Sequence, residues 1–248
     1  MACLDKFYLY ACIIFYSYPA AYLFSEETIL QKIQHSAVTP RACSEWATER
    51  SAFVMQKAKN APGDYDIEFI GDSITEFWER EGAQVWKEFY GHRKAINLGV
   101  KADRTQHLLW RLQKGQLDGI YAKVAIVLIG TNNSKGSDNC EAEIVDGVFK
   151  VVQAIQQRQP HTKTLLLGIF PQGQTFNARR EKIFRVNQGL AKLANDKTIF
   201  YLDISSQFMD KNGFISSLIM PDETHLSETG YRIWATVMEP KLQQLLGD

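Results

Sequence analysis

The chain predicts an α/β fold, a single-domain three-layer α/β/α sandwich built on a five-stranded parallel sheet. Three observations carry that expectation. Short apolar runs alternate with longer segments of helical spacing, several of the runs end in glycine and small polar residues, and 248 residues, 45% of them hydrophobic, suffice for one large core. Such alternation is a βαβ series, which right-handed crossovers turn into a parallel sheet with helices on both faces.

The first segment reads as a leader rather than as part of the sheet. Phe7 to Phe24 is apolar and aromatic, follows Lys6 and gives way to Ser25-Glu26-Glu27, the pattern of a secretory signal or a membrane anchor. Cleavage near Ala20 or Ala21 is the favoured expectation and an uncleaved anchor the second, although Pro19 and the tyrosines depart from an ideal apolar stretch. Export to the periplasm, the cell envelope or the medium is therefore expected over the cytoplasm, with membrane contact through the N-terminus alone. Residues 25–62 read as a mixed, polar extension with one helical stretch, Ser44 to Lys59, packed on the outside of the domain; residues 63–248 form the domain itself.

Within that domain the expected strands are Ile67 to Ile70, Ala95 to Leu98, Val124 to Ile129, Thr164 to Ile169 and Ile199 to Leu202, and clear helical spacing covers Glu143 to Gln157 and Arg179 to Leu193. No internal repeat or low-complexity linker interrupts the series. In an open parallel sheet, ligands bind at the carboxyl ends of the strands, so the residues that follow each run hold the chemistry.

After the first run, Gly71-Asp72 turns tightly and Ser73 opens a helix-like segment. A serine there has its hydroxyl at the mouth of the sheet and its own N–H free for a ligand. Gly-Asp-Ser is also ordinary turn and N-cap chemistry. A serine nucleophile requires a base and a group that orients the base, and Met220 to Gly230 supplies both: Asp222 lies three residues before His225, a spacing that lets a carboxylate reach the imidazole. Of the five histidines, only His225 has this setting. By itself Asp-x-x-His could be a capping arrangement or a solvated pair. Between the two ends lie Asn97 to Leu112 and Ile126 to Ser134, in which Asn132 is placed as a side-chain donor to an oxyanion or, alternatively, as a plain turn residue.

The blocks GDSIT, NLGVKAD, GTNN and DETH together resemble those of the SGNH or GDSL-type hydrolases, from about Trp46 to the C-terminus. Within that superfamily HLLWRLQKGQLDGI, LLLGIFPQG and IMPDETHLSETGYRIWA look most like the catalytic subunits of intracellular platelet-activating-factor acetylhydrolase and their bacterial relatives. The resemblance implies the flavodoxin-like SGNH sheet and a metal-independent, cofactor-free serine esterase for short acyl groups, acetyl above all. It casts Ser73 as nucleophile, His225 as general base and acid, Asp222 as orienter, and Ser73 N–H, an N–H of the second block and Asn132 as the oxyanion hole. The family's second block usually reads Gly-x-Gly-Gly-Asp; here Gly99 is kept but Lys101 and Ala102 stand in the next glycine positions. Ala102 is the donor by alignment, Gly99 the lesser alternative, and a positive φ at Ala102 would be strained. Asp72, Arg104 and Asn133 are candidates for the substrate pocket, with Trp78 and Trp110; Arg104 could instead pair with Asp103, and Trp110 reads better as core. The resemblance also hints at a homodimer, for which the sequence has no readable interface.

Other classes are disfavoured. Net charge is zero and there is no basic stripe, so nucleic acid is not an expected partner. No phosphate loop, dinucleotide fingerprint, GxSxG elbow or zinc-spaced Cys/His cluster occurs. Cys43 and Cys140 could pair in an exported protein, but two unrelated cysteines are the simpler reading. The alternatives kept are an exported carbohydrate O-acetylesterase and, from another class, a non-catalytic flavodoxin-like binding module.

Overall fold

The computed structural model describes residues 35–247. The leader expected over residues 1–24 and the start of the extension lie outside the described residues. Five strands, β1 (Gly63–Gly71), β2 (Ala95–Asn97), β3 (Ile120–Leu128), β4 (Lys163–Leu167) and β5 (Ile199–Leu202), form one fully parallel sheet in the order β2-β1-β3-β4-β5. The helices are α1 (Thr48–Asn60), α2 (Ser73–Glu76), α3 (Ala83–Tyr90), α4 (Thr105–Gln113), α5 (Glu141–Arg158), α6 (Ala178–Ala191) and α7 (Glu228–Leu246). Every strand and long helix expected from periodicity is present. β1 and β3 begin about four residues earlier than expected, because their first residues pair in register, Gly63 with Ile120 and Tyr65 with Ala122, although Asp64 and Lys123 interrupt the apolar pattern.

Side chains from alternate positions of β3 explain the three layers. Val124, Ile126 and Leu128 enter one core, with Trp78, Tyr90, Tyr231 and Trp234 from the α3 and α7 side. Ala125, Val127 and Ile129 enter the other, with Leu108 and Leu112 of α4, Val148, Val151 and Ile155 of α5, and Val186 and Leu190 of α6. On α5 the buried positions recur every three or four residues, so one face of that helix is apolar and the other solvated. Helix α1 differs from the expectation of an outside element: Val54 and Ala58 are fully buried in the same core, so it is part of the packed layer.

The order of the strands creates the site. From β1 the chain moves to β2 on one side and then crosses back to β3 on the other, so the carboxyl ends of β1 and β3 flank a topological switch point, where open parallel sheets leave a crevice. Gly71 and Leu128, the last residues of those two strands, are register partners.

Candidate active site

β1 stops at Gly71 because the chain must fold back tightly: a Cβ there would overlap the Thr75 hydroxyl and the Leu128 carbonyl. Asp72 then caps α2, its Oδ1 accepting from the Ile74 N–H at 3.0 Å, which satisfies one of the orphan donors of a helix start. Ser73 is the first residue of α2 and reaches the surface with 8% exposure. The Tyr231 hydroxyl of α7 donates to the Ile74 carbonyl at 2.7 Å, pinning this elbow to the helix that follows His225.

His225 comes from the loop between β5 and α7. Its Nε2 lies 2.9 Å from Ser73 Oγ and its Nδ1 2.6 Å from Asp222 Oδ2. With Nδ1–H donating to the carboxylate, Nε2 presents its lone pair to the serine hydroxyl, the tautomer a base requires. Asp222 is held in turn by the backbone: Oδ1 accepts from the His225 N–H at 2.7 Å and the Thr224 N–H at 3.0 Å. Burial pushes this carboxyl up, but the hydrogen bonds from the imidazole and the two N–H groups outweigh it and hold Asp222 below its ordinary value. The Phe77 ring packs on His225, centroids 4.8 Å apart, and the Arg80 guanidinium lies over the Phe77 ring, 4.7 Å from its centroid.

Three candidate donors lie on the segments that follow β1, β2 and β3. The Ser73 and Ala102 N–H groups have no acceptor among the described residues. Asn132, 9% exposed, donates one Nδ2–H to the Asp103 carbonyl at 2.9 Å, which leaves its second N–H for a ligand. Ala102 has φ +58°, in a turn closed by the Asp103 N–H on the Val100 carbonyl at 3.2 Å; this is the left-handed conformation glycine prefers. Gly99 is not a competing donor, because its N–H goes to Asn97 Oδ1 at 2.9 Å. The loop is locked from below by the wholly buried ion pair of Asp103 with Arg111, whose Nε also donates to Gln116 Oε1 at 2.9 Å. Burial pushes the Asp103 carboxyl up while Arg111 pulls it back.

Several pocket candidates are corrected. Asp72 is fully enclosed; burial pushes its carboxyl up to about 6 against the pull of the Ile74 N–H, so it supports the elbow and does not line a pocket. Asn133 is likewise fully buried, its Oδ1 accepting from the Thr105 N–H at 3.0 Å and its Nδ2 donating to Gln106 Oε1 and Asn139 Oδ1 at 3.1 Å. It joins the loop after β3 to α4. Trp78, 1% exposed, is the centre of the aromatic core. Trp110 is only half-buried, with the Lys114 ammonium over its ring, so the core reading fails there. Arg104 does form an ion pair, with Asp138 at 2.8 Å and not with Asp103, which Arg111 occupies. Cys43 is a free thiol, so Cys43 and Cys140 do not pair.

Sequence reasoning missed Tyr231, Phe77, Lys135 and Arg179. Phe77 lies one helical turn after Ser73 and Lys135 three residues after Asn132, so spacing was an available signal for those two; Tyr231 and Arg179 reach the site only through the fold. Among the described residues no group of three or more His, Cys, Asp or Glu side chains could hold a metal ion.

The sequence profile of the GDSL-like Lipase/Acylhydrolase family matches residues 69–233, which span all the groups above. The chain is 34% identical over 218 residues to platelet-activating factor acetylhydrolase IB subunit alpha2 of Homo sapiens, covering 86% of this chain and 90% of that protein. In structure it is similar to a member of the lipolytic G-D-S-L family from Veillonella parvula (TM-score 0.59, 16% identity, 70% of this chain and 96% of that one). A carbohydrate acetylesterase from Sinorhizobium meliloti shares the fold (TM-score 0.55, 16% identity, 72% and 98%).

Proposed function

The chain belongs to the GDSL-like lipase/acylhydrolase family and is a carboxylic ester hydrolase; from that premise we propose that it cleaves short-chain, above all acetyl, esters through an acyl-enzyme on Ser73. The observation that carries this reading is the continuous relay from Ser73 Oγ to His225 Nε2 and from Nδ1 to Asp222, at 2.9 and 2.6 Å.

In the first step His225 Nε2 takes the Ser73 proton as Oγ attacks the ester carbonyl, and negative charge moves to the carbonyl oxygen. The Ser73 N–H, the Ala102 N–H and Asn132 Nδ2 receive that charge; removing one such donor typically costs about 100- to 1000-fold in rate. The imidazolium, steadied by Asp222, then protonates the departing alcohol. Water enters, gives its proton to the same nitrogen, and releases the carboxylic acid and free Ser73. The leader-like residues 7–24 support action outside the cytoplasm.

Hydrolysis of p-nitrophenyl acetate, butyrate and octanoate tests the reading. Activity should fall with acyl length, and Ser73→Ala and His225→Ala should each lose at least about 1000-fold in kcat, with Asp222→Ala less damaged. Wild-type rates no faster than those of Ser73→Ala on every ester would overturn it.

A further inference from the structure

Acids and bases are equal in number in this chain, and its enclosed cations are mostly matched. Arg111 pairs with Asp103, Arg93 with Glu239 and Arg50 with Glu79; the Arg180 guanidinium donates to the carbonyls of Gln172, Gly173 and Gly213. Arg104 on the site's rim is neutralised by Asp138. Two cations stand apart from this pattern. Arg179, half-buried in the first turn of α6, donates from Nε to Ser134 Oγ at 3.1 Å and from Nη2 to the Thr131 carbonyl at 2.8 Å. Lys135, which is exposed, is the next residue of that same loop. Among the described residues neither forms an ion pair, and Arg179 Nη1 has no acceptor.

Their position gives the pair meaning. The loop that Arg179 grips, Thr131 to Ser134, contains the candidate donor Asn132, so Arg179 bonds to residues one and two positions from Asn132 and Lys135 follows it by three. Burial holds the Arg179 guanidinium below its ordinary value, and Asp72, directly behind the nucleophile, is the carboxylate that acts against this. Burial likewise lowers Lys135, and Arg179 and Arg104 repel it further, while Asp72 and Asp222 act in its favour. Two like charges at one loop without a counter-charge in contact favour an anion that approaches both. The guanidinium is pre-oriented by the loop, so little freedom is lost on binding.

We propose that Arg179 and Lys135 form an anion subsite beside Ser73, so that the favoured substrates are esters carrying a fixed negative charge, a carboxylate, phosphate or sulfate, a few bonds from the scissile carbonyl. This rests on the esterase reading above and narrows its substrate class. The charge sits on either the alcohol or the acyl side of the ester, and the substrates chosen below distinguish the two.

The test compares kcat/KM for neutral p-nitrophenyl acetate with that for 3-carboxy-4-nitrophenyl acetate, charged on the alcohol side, and for the p-nitrophenyl monoester of glutaric acid, charged on the acyl side. The ratio of charged to neutral substrate is read in the wild type, Lys135→Glu, Arg179→Gln and Arg179→Lys. For one of the two charged esters, Lys135→Glu should lower the ratio about tenfold or more, Arg179→Gln should lower it several-fold, and Arg179→Lys should restore most of it. Raising the salt from about 0.05 to about 0.5 M should compress the wild-type ratio. Ratios untouched by charge reversal, or variants that slow charged and neutral esters equally, would overturn the subsite and leave Arg179 as a prop for its loop. Calorimetric titration of inorganic phosphate into Ser73→Ala, with and without Lys135→Glu, reads the subsite without turnover. Phosphate binding that depends on Lys135, with a wild type inactive on every ester, would refute the esterase reading alone; phosphate binding indifferent to Lys135, with a wild type that hydrolyses esters normally, would refute the subsite alone.

Discussion

Ala102 takes a backbone conformation that glycine prefers, at a cost. A non-glycine residue in the left-handed region, here φ +58°, is disfavoured by about 1–2 kcal/mol, whereas glycine adopts it freely but loses more chain entropy on folding. Ala102→Gly should therefore raise the urea midpoint, by a net amount of up to about 1 kcal/mol. A lower midpoint would mean that the turn is not strained. At this scale the sequence was informative where chemistry is local. Ser73 follows its cap directly, and Asp222 and His225 share one short loop, so the three candidates could be picked from motifs. Asp72 and Asn133 misled for the same reason: adjacency to a functional residue suggested a pocket, while their side chains turn inward to satisfy N–H groups of the elbow and of α4.

At the scale of the element, β1 shows how a period-two pattern can conceal burial. Glu68 stands between Ile67 and Phe69 as a solvent-facing residue of an amphipathic strand would, yet it is fully buried because helices cover both faces of a parallel sheet. Its Oε2 accepts from Gln159 Nε2 at 3.2 Å, beyond the end of α5, and burial pushes its carboxyl up to about 8. A carboxyl with a raised folded pKa retains its proton more firmly in the native state. Its contribution is complete at low pH, below the unfolded value of 4.5, and is lost as pH rises toward about 8. Within that window the group alone costs about 1.4 kcal/mol per pH unit. Glu68→Gln, which keeps the size but cannot ionise, should gain stability relative to wild type as pH increases from 5 to 8, as denaturant midpoints would show; a pH-independent difference would argue that Glu68 is already ionised in the native protein.

For the whole molecule, the two cores are not separable, since neighbouring residues of β3 point alternately into each. Trp78, Trp86 and Trp234 report on the α3 and α7 side and Trp110 on α4 of the other layer, while far-UV circular dichroism reports on the helices of both layers. Because either layer without its sheet would expose the other core, tryptophan fluorescence and circular dichroism should give one coincident urea transition. Two separated midpoints would show that a layer can melt alone. The same scale explains the site: Ser73 and His225, 152 positions apart, meet at 2.9 Å because β1 and the loop before α7 end at one edge of the sheet.

The sequence by itself determined the succession of strands and helices, since hydrophobic period is a local property, and it offered the candidate reacting groups, since their motifs are short and contiguous. Only the tertiary structure decided which side chains support them. The Tyr231 hydroxyl on the elbow and the placing of Arg179 against the Asn132 loop join residues brought together by the strand order and crossovers. Contacts of that kind depend on where elements pack, which no local pattern of residues encodes.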